Sequence, residues 1–153
     1  MTQDAKTEVL FYQLDRQPLE RVLPGLLERT RERGWRAIVQ AGSTERIEAL
    51  DTELWTYEEA SFLPHGTDRA GDAERQPILL TTGDGNANGA SVRFLIDGAV
   101  IDDPSGYTRI VHLFEASEEA LARARREWKR AKDQGCEVTY WQQGQSGRWE
   151  KKA

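Results

Sequence analysis

The chain of 153 residues holds one cysteine and two histidines. Cys136 cannot close an internal disulfide and reads as a small buried apolar residue at a strand entrance, while neither His65 nor His112 has a second His or Cys at metal-ligand spacing. A disulfide-stapled domain and a zinc site are therefore both set aside. No run approaches the ~20 apolar residues of a membrane span, and the polar start MTQDAKTE has no signal-peptide core, so a soluble cytoplasmic protein is expected. Positive charge is also in deficit: 21 Lys and Arg stand against 26 Asp and Glu, a net charge of -5. Such a chain has no global field to hold a polyanion, so strong direct nucleic-acid binding and membrane attachment are not expected. An anionic partner has to be met by a local basic patch.

Catalytic motifs are missing in the same way. Gly83 to Gly89 (GDGNANG) lacks both the GxGxxG spacing and the lysine and hydroxyl of a phosphate loop, and a strand pattern follows it. Asp102-Asp103-Pro104 and Glu58-Glu59 are adjacent acids of the kind that usually cap or face solvent. Ser43 and Ser61 lack the flanking glycines of a nucleophile elbow. No cofactor, metal or intrinsic catalysis is expected. The alternative is a small enzyme that uses a Rossmann-like crevice for a nucleotide.

What the chain does have is periodicity. Glu8 to Leu14 (EVLFYQL) reads as a first buried strand, and Leu19, Val22, Leu23, Leu26 and Leu27 place one apolar face on a helix from Pro18 to Arg33, closed by Gly34. Pro24 predicts a kink near Leu23 or a late helix start. Trp35 to Gln40 is a second strand, and Ile47, Ala49 and Leu50 mark a second helix. His65 to Arg75 reads as an exposed loop. Strands follow at Pro77 to Thr81, Val92 to Ile96 and Arg109 to Phe114. A helix capped by Ser117 runs to about Gln134, and a last strand spans Glu137 to Trp141. The alternation predicts one α/β domain, Rossmann-like, with a central mostly parallel sheet flanked by helices over residues 1–142, and a polar tail at 143–153 carrying a lone Trp149.

Two segments call for more than packing. On a helical projection Leu121, Ala124, Trp128 and Ala131 form an apolar stripe of the last helix, bordered by Arg125, Lys129 and Lys132. Trp128 can cover the core with one edge and offer the other to a ligand that combines an apolar group with carboxylates. An ordinary amphipathic helix with solvated bases accounts for the same pattern. The second segment, Leu54 to Thr67 (LWTYEEASFLPHGT), crowds large apolar side chains into a connector, and sequence leaves core plug and interaction patch both open.

In this order the two segments resemble the chi accessory subunit of bacterial DNA polymerase III holoenzyme. FYQL, GWRAIV, LW…SFLPH, QPILLT and ALARARREWKRAKDQG carry the resemblance along nearly the whole chain, the connector and last helix being its specific parts. It implies a non-catalytic subunit on the clamp-loader side of the replicative polymerase. It also implies binding of the acidic C-terminal tail of single-stranded DNA-binding protein, ending in Pro-Phe, through Phe114, Arg125, Trp128 and Lys129 with help from Lys132. One turn earlier the family's usual base is Leu121 here, which implies more apolar contact. Leu54, Trp55, Phe62, Leu63 and Pro64 match the region where the family docks the psi subunit or a helicase-like protein.

Overall fold

The computed structural model describes residues 6–56, 64–68, 71–146 and 148–153. Its elements follow the order β1 (Glu8–Leu14), α1 (Leu19–Glu32), β2 (Ala37–Gln40), α2 (Thr44–Thr56), β3 (Gly66–Thr67), β4 (Ile78–Thr81), β5 (Val92–Leu95), β6 (Arg109–Glu115), α3 (Glu118–Asp133), β7 (Glu137–Gln143) and β8 (Trp149–Lys151). They form an eight-stranded sheet in the order β3-β4-β2-β5-β6-β1-β7-β8. Every pairing is parallel except β7 with β8. The α/β sheet and its mostly parallel character are as the strand-helix alternation predicts. Among the described residues, no helix is long and apolar enough to cross a membrane.

Side-chain parity along the strands divides the core in two. Leu14, Val39, Leu80, Phe94 and Val111 face α1 and α2. Val9, Phe11, Ile38, Leu95 and Ile110 face the opposite way, toward α3. Helices α1 and α3 both end on a glycine in the left-handed region, Gly34 (φ 80°) and Gly135 (φ 82°). The next residue turns back in each case: the Trp35 amide donates to Thr30 at 3.2 Å and the Cys136 amide to Ala131 at 3.0 Å. These turns launch the chain straight into β2 and β7. At the other end of α3 the Ser117 hydroxyl accepts from the Ala120 amide at 3.1 Å, with Glu118 and Glu119 in the first turn.

Three expectations change. Of the kink near Leu23 or late start predicted from Pro24, the late start does not occur, because α1 begins at Leu19 and continues through a buried Pro24; the ring removes only the donor that would reach Glu20, one turn into the helix. The loop expected from His65 begins with a short strand, β3, beside β4, and His65 itself is 5% exposed. The residues expected as a polar tail pair with β7 as β8, and Trp149 packs against the α1 side of the core.

The connections from β4 to β5 and from β5 to β6 carry no α-helix, although parallel strands usually need one. They cross the α3 side of the sheet as turns and irregular chain with one short 3-10 helix at Pro104–Gly106, and Arg93 holds them there. This fully buried guanidinium donates to Gln40 Oε1 (2.9 and 2.6 Å), to the carbonyls of Gly83 (2.5 Å) and Gly85 (2.8 Å) and to the Tyr107 hydroxyl (2.8 Å). It also lies 5.6 Å from the Tyr107 ring centroid. Every donor is used, and carbonyl dipoles with one aromatic face take the place of a carboxylate. Removing it orphans buried acceptors at ~1–3 kcal/mol apiece. Arg93→Met is therefore expected to lose about 3–5 kcal/mol, seen as a lower urea midpoint, and a loss below 1 kcal/mol would refute the role given to this side chain.

Candidate functional site

The site grows from the centre of the sheet outward. Phe11 on β1 is wholly buried and stands beside Tyr140 in the β1–β7 register. Their rings are 6.1 Å apart, and Trp128 of α3 leans on both, 5.7 Å from Phe11 and 6.1 Å from Tyr140. Tilted and edge-on contacts of this kind add to the area they bury. Trp128 is therefore fixed from below and only partly covered from above.

Beside it opens a groove of about 380 Å³, lined by Gln13, Leu121, Ala124, Arg125, Trp128 and Tyr140, with Ala153 on the far wall. The Tyr140 hydroxyl donates to Gln13 Oε1 at 2.5 Å. Burial raises its pKa and Asp15 raises it further, against Arg125, so it remains a neutral donor. Arg125 and Lys129 are exposed one turn apart on the rim, and Lys132 Nζ sits 5.3 Å from the Trp128 ring centroid. An apolar floor with a cationic rim can accept an aromatic or aliphatic group that carries carboxylates.

Arg125 and Trp128 thus line one groove, while Lys129 and Lys132 extend its charge along α3. Phe114 stands apart: it meets Tyr140 edge-on at 6.3 Å and otherwise lines narrow crevices beside Ala120 and Arg123. Tyr140, not Phe114, lines the groove beside Trp128. Neither Tyr140 nor Gln13 was singled out from sequence. Strand alternation was the available signal, since Val138 and Tyr140 share one face of β7 and Phe11 and Gln13 one face of β1.

The connector residues separate. Leu54 is 3% exposed and packs in the core, so it leaves the surface patch. Trp55 is 50% exposed, its ring 4.4 Å from that of His65, and Pro64 is partly buried. The His65 Nε2 lies 3.1 Å from the Asp51 carboxylate, which ties the segment back to α2. Phe62 and Leu63 lie outside the described residues, as do Glu58 and Glu59.

The remaining motifs turn inward. Asp103 accepts from the Ser105 amide and hydroxyl at 2.9 and 2.7 Å, a turn cap, and Asp102 takes Arg130 at 2.9 Å. In GDGNANG, the Gly83 and Gly85 carbonyls point at Arg93, the opposite polarity to that a phosphate requires. A larger hollow of about 840 Å³ lies between α1 and α2, but its Arg46 is engaged by Glu20 at 2.6 Å and Asp97 at 2.9 Å. Among the described residues no group of three His, Cys, Asp or Glu side chains is placed to hold a metal ion.

The family model for the DNA polymerase III chi subunit, HolC, matches residues 7–139, from the start of β1 into β7. The chain belongs to the DNA polymerase III chi subunit family. One relative of this chi-family chain is the probable DNA polymerase III subunit chi of Rickettsia prowazekii (strain Madrid E), 31% identical over 71 residues. That match covers 46% of this chain and 43% of the relative, so the chain spans less than half the length of the curated relative it matches. The family match takes in α3, Arg125, Trp128 and Lys129 included.

One titratable group, the partly buried His112, supports the chi-family groove from beneath. The His112 ring stacks flat on Phe11, centroids 4.5 Å apart and planes 4° from parallel. Burial first, then the nearby Arg130, pushes its pKa down to about 4. The unfolded histidine takes a proton near pH 6.5 and the folded one only near 4, so the stabilisation is complete above 6.5 and is lost as pH falls between these values. At most ~3 kcal/mol is involved. Urea midpoints at neutral and mildly acidic pH are expected to fall further for the natural chain than for His112→Phe; equal falls would remove His112 as the cause.

Proposed function

We propose that this chain is a non-catalytic accessory subunit on the clamp-loader side of the replicative DNA polymerase, acting in the cytoplasm at the replisome. Its α3 groove takes the acidic C-terminal tail of single-stranded DNA-binding protein. The observation that carries the proposal is the pairing of an apolar hollow, floored by Trp128 and Tyr140, with an exposed Arg125 at its lip.

The chemistry fits such a tail step by step. A space of about 380 Å³ suits one or two side chains, as at the end of an extended peptide, and a terminal phenylalanine can pack against Trp128 and Tyr140. Its carboxylate meets Arg125, whose guanidinium fork can grip both oxygens. Upstream acids then run past Lys129 and Lys132. Leu121, at the position where the family usually carries a base, lines the groove and shifts the balance toward apolar contact. The rim charges are exposed, so each contributes little and is screened by salt.

A second protein, psi-like or helicase-like, is proposed to dock at the connector, where Trp55 offers half of its surface beside Pro64. Large exposed aromatics of this kind anchor protein interfaces.

Titrating an acidic peptide ending in Pro-Phe should give a Kd on the micromolar scale that weakens with salt. Arg125→Ala is expected to weaken it about tenfold, the loss of one charge-assisted hydrogen bond, and removal of the terminal phenylalanine should abolish saturable binding. Unchanged affinity in Arg125→Ala would rule out this groove.

A further inference from the structure

Opposite α3, the half of the sheet formed by β1, β7 and β8 is partly covered: Leu10 and Leu14 of β1 and Gln143 of β7 are buried there. Helix α1 lies over β2 and β6 and packs beside α2, and Tyr12, Trp141 and Trp149, on three adjacent strands, keep part of their surface. Tyr12 lies 4.8 Å from Trp149 and 6.3 Å from Trp141, and all three are only partly buried. Cations frame them. Arg33 and Arg109 lie 5.1 and 5.4 Å from the ring centroid of Trp35, and Lys151 stands opposite Trp141 in the β7–β8 register. Burial raises the Tyr12 pKa and Glu8 adds to it, while Arg109, Arg29 and Arg33 oppose it; Arg29 stands one turn before Arg33 at the end of α1. Glu8 neutralises Arg109 at 2.9 Å. Among the described residues, no carboxylate comes within ion-pair distance of Arg29, Arg33 or Lys151.

We propose that this partly open face binds single-stranded nucleic acid, stacking bases on the exposed parts of Tyr12, Trp141 and Trp149 and seating phosphates on Arg29, Arg33 and Lys151. The layout favours that occupant over an acidic peptide. The rings lie side by side on three strands rather than around a pocket, so they suit flat groups presented in series, and a single strand alternates such groups with charge. Trp35 contributes by holding two guanidinium planes beside the rings. The net charge of -5 keeps the contact weak and local, an auxiliary grip rather than strong binding. A subunit that grasps a protein coating single strands works next to such a strand, and this face points away from the α3 groove, so both can be occupied together.

Fluorescence anisotropy of the full chain with a labelled oligothymidine of about 20 residues, at about 20 mM salt, is the test. Saturable binding is expected, with log K falling against log salt at a slope of about -2 for three phosphate contacts. Arg29→Glu with Arg33→Glu should weaken it at least about tenfold without altering circular dichroism or the thermal midpoint, both residues being exposed. An abasic strand of equal length should bind about tenfold more weakly. Arg125→Glu should leave the affinity unchanged, which separates this face from the α3 groove. Flat anisotropy, equal binding of the abasic strand, or loss in Arg125→Glu would each overturn the proposal. So would light scattering that shows a dimer abolished by the Arg29 and Arg33 reversals, since the face would then belong to a second copy.

Discussion

Phe11 is the contact on which the α3 groove and the opposite aromatic face both depend. It has no exposed surface, stacks on His112, and supports Trp128 and Tyr140 from beneath. Because strand residues alternate in direction, the odd-numbered residues of β1 that build the α3 groove leave Tyr12 on the opposite face among its arginines. A one-residue slip in β1 would exchange the two sets and destroy both. The parallel pairing of β1 with β6 and β7 along its length is what prevents it.

The other end of the sheet follows a different solution. Between β4, β5 and β6 the fold dispenses with crossover α-helices and uses turns and irregular chain, which would bring polar backbone against a sheet face that an apolar helix normally covers. Arg93 resolves this by satisfying carbonyls from inside the core. The glycine-rich segment that in a nucleotide-binding fold would offer amides to a phosphate here offers carbonyls to a buried cation. The same change of connection that shortens the fold thus occupies the segment where phosphate chemistry would reside.

Much of the architecture was legible because it rests on local rules. The strand patterns at Glu8–Leu14, Ile78–Thr81 and Arg109–Glu115, the Ser117 cap and the glycine stops at Gly34 and Gly135 all follow from periodicity and backbone sterics. The last strand was misjudged at its end because Gly144 and the polar residues around it hide a hairpin. Trp149 finds its partners, Tyr12 and the core, only across that turn. Leu54 and Trp55 are adjacent in sequence, yet one is core and one is surface, a division that helix α2 makes by rotating each residue about 100° from the last.

By itself the sequence determined the α/β alternation, the amphipathic face of the last helix with Arg125, Trp128, Lys129 and Lys132 on or beside it, and the family that those residues resemble. Tertiary structure decided which rings meet them. Tyr140 and Gln13 reach the groove from separate strands, and Phe114 meets Tyr140 edge-on without lining the groove. Sequence spacing reports neighbours along one helix or strand, whereas a groove is made by the register between strands and by the seat of a helix upon them. Those are set by long-range packing around Phe11, which no local pattern encodes.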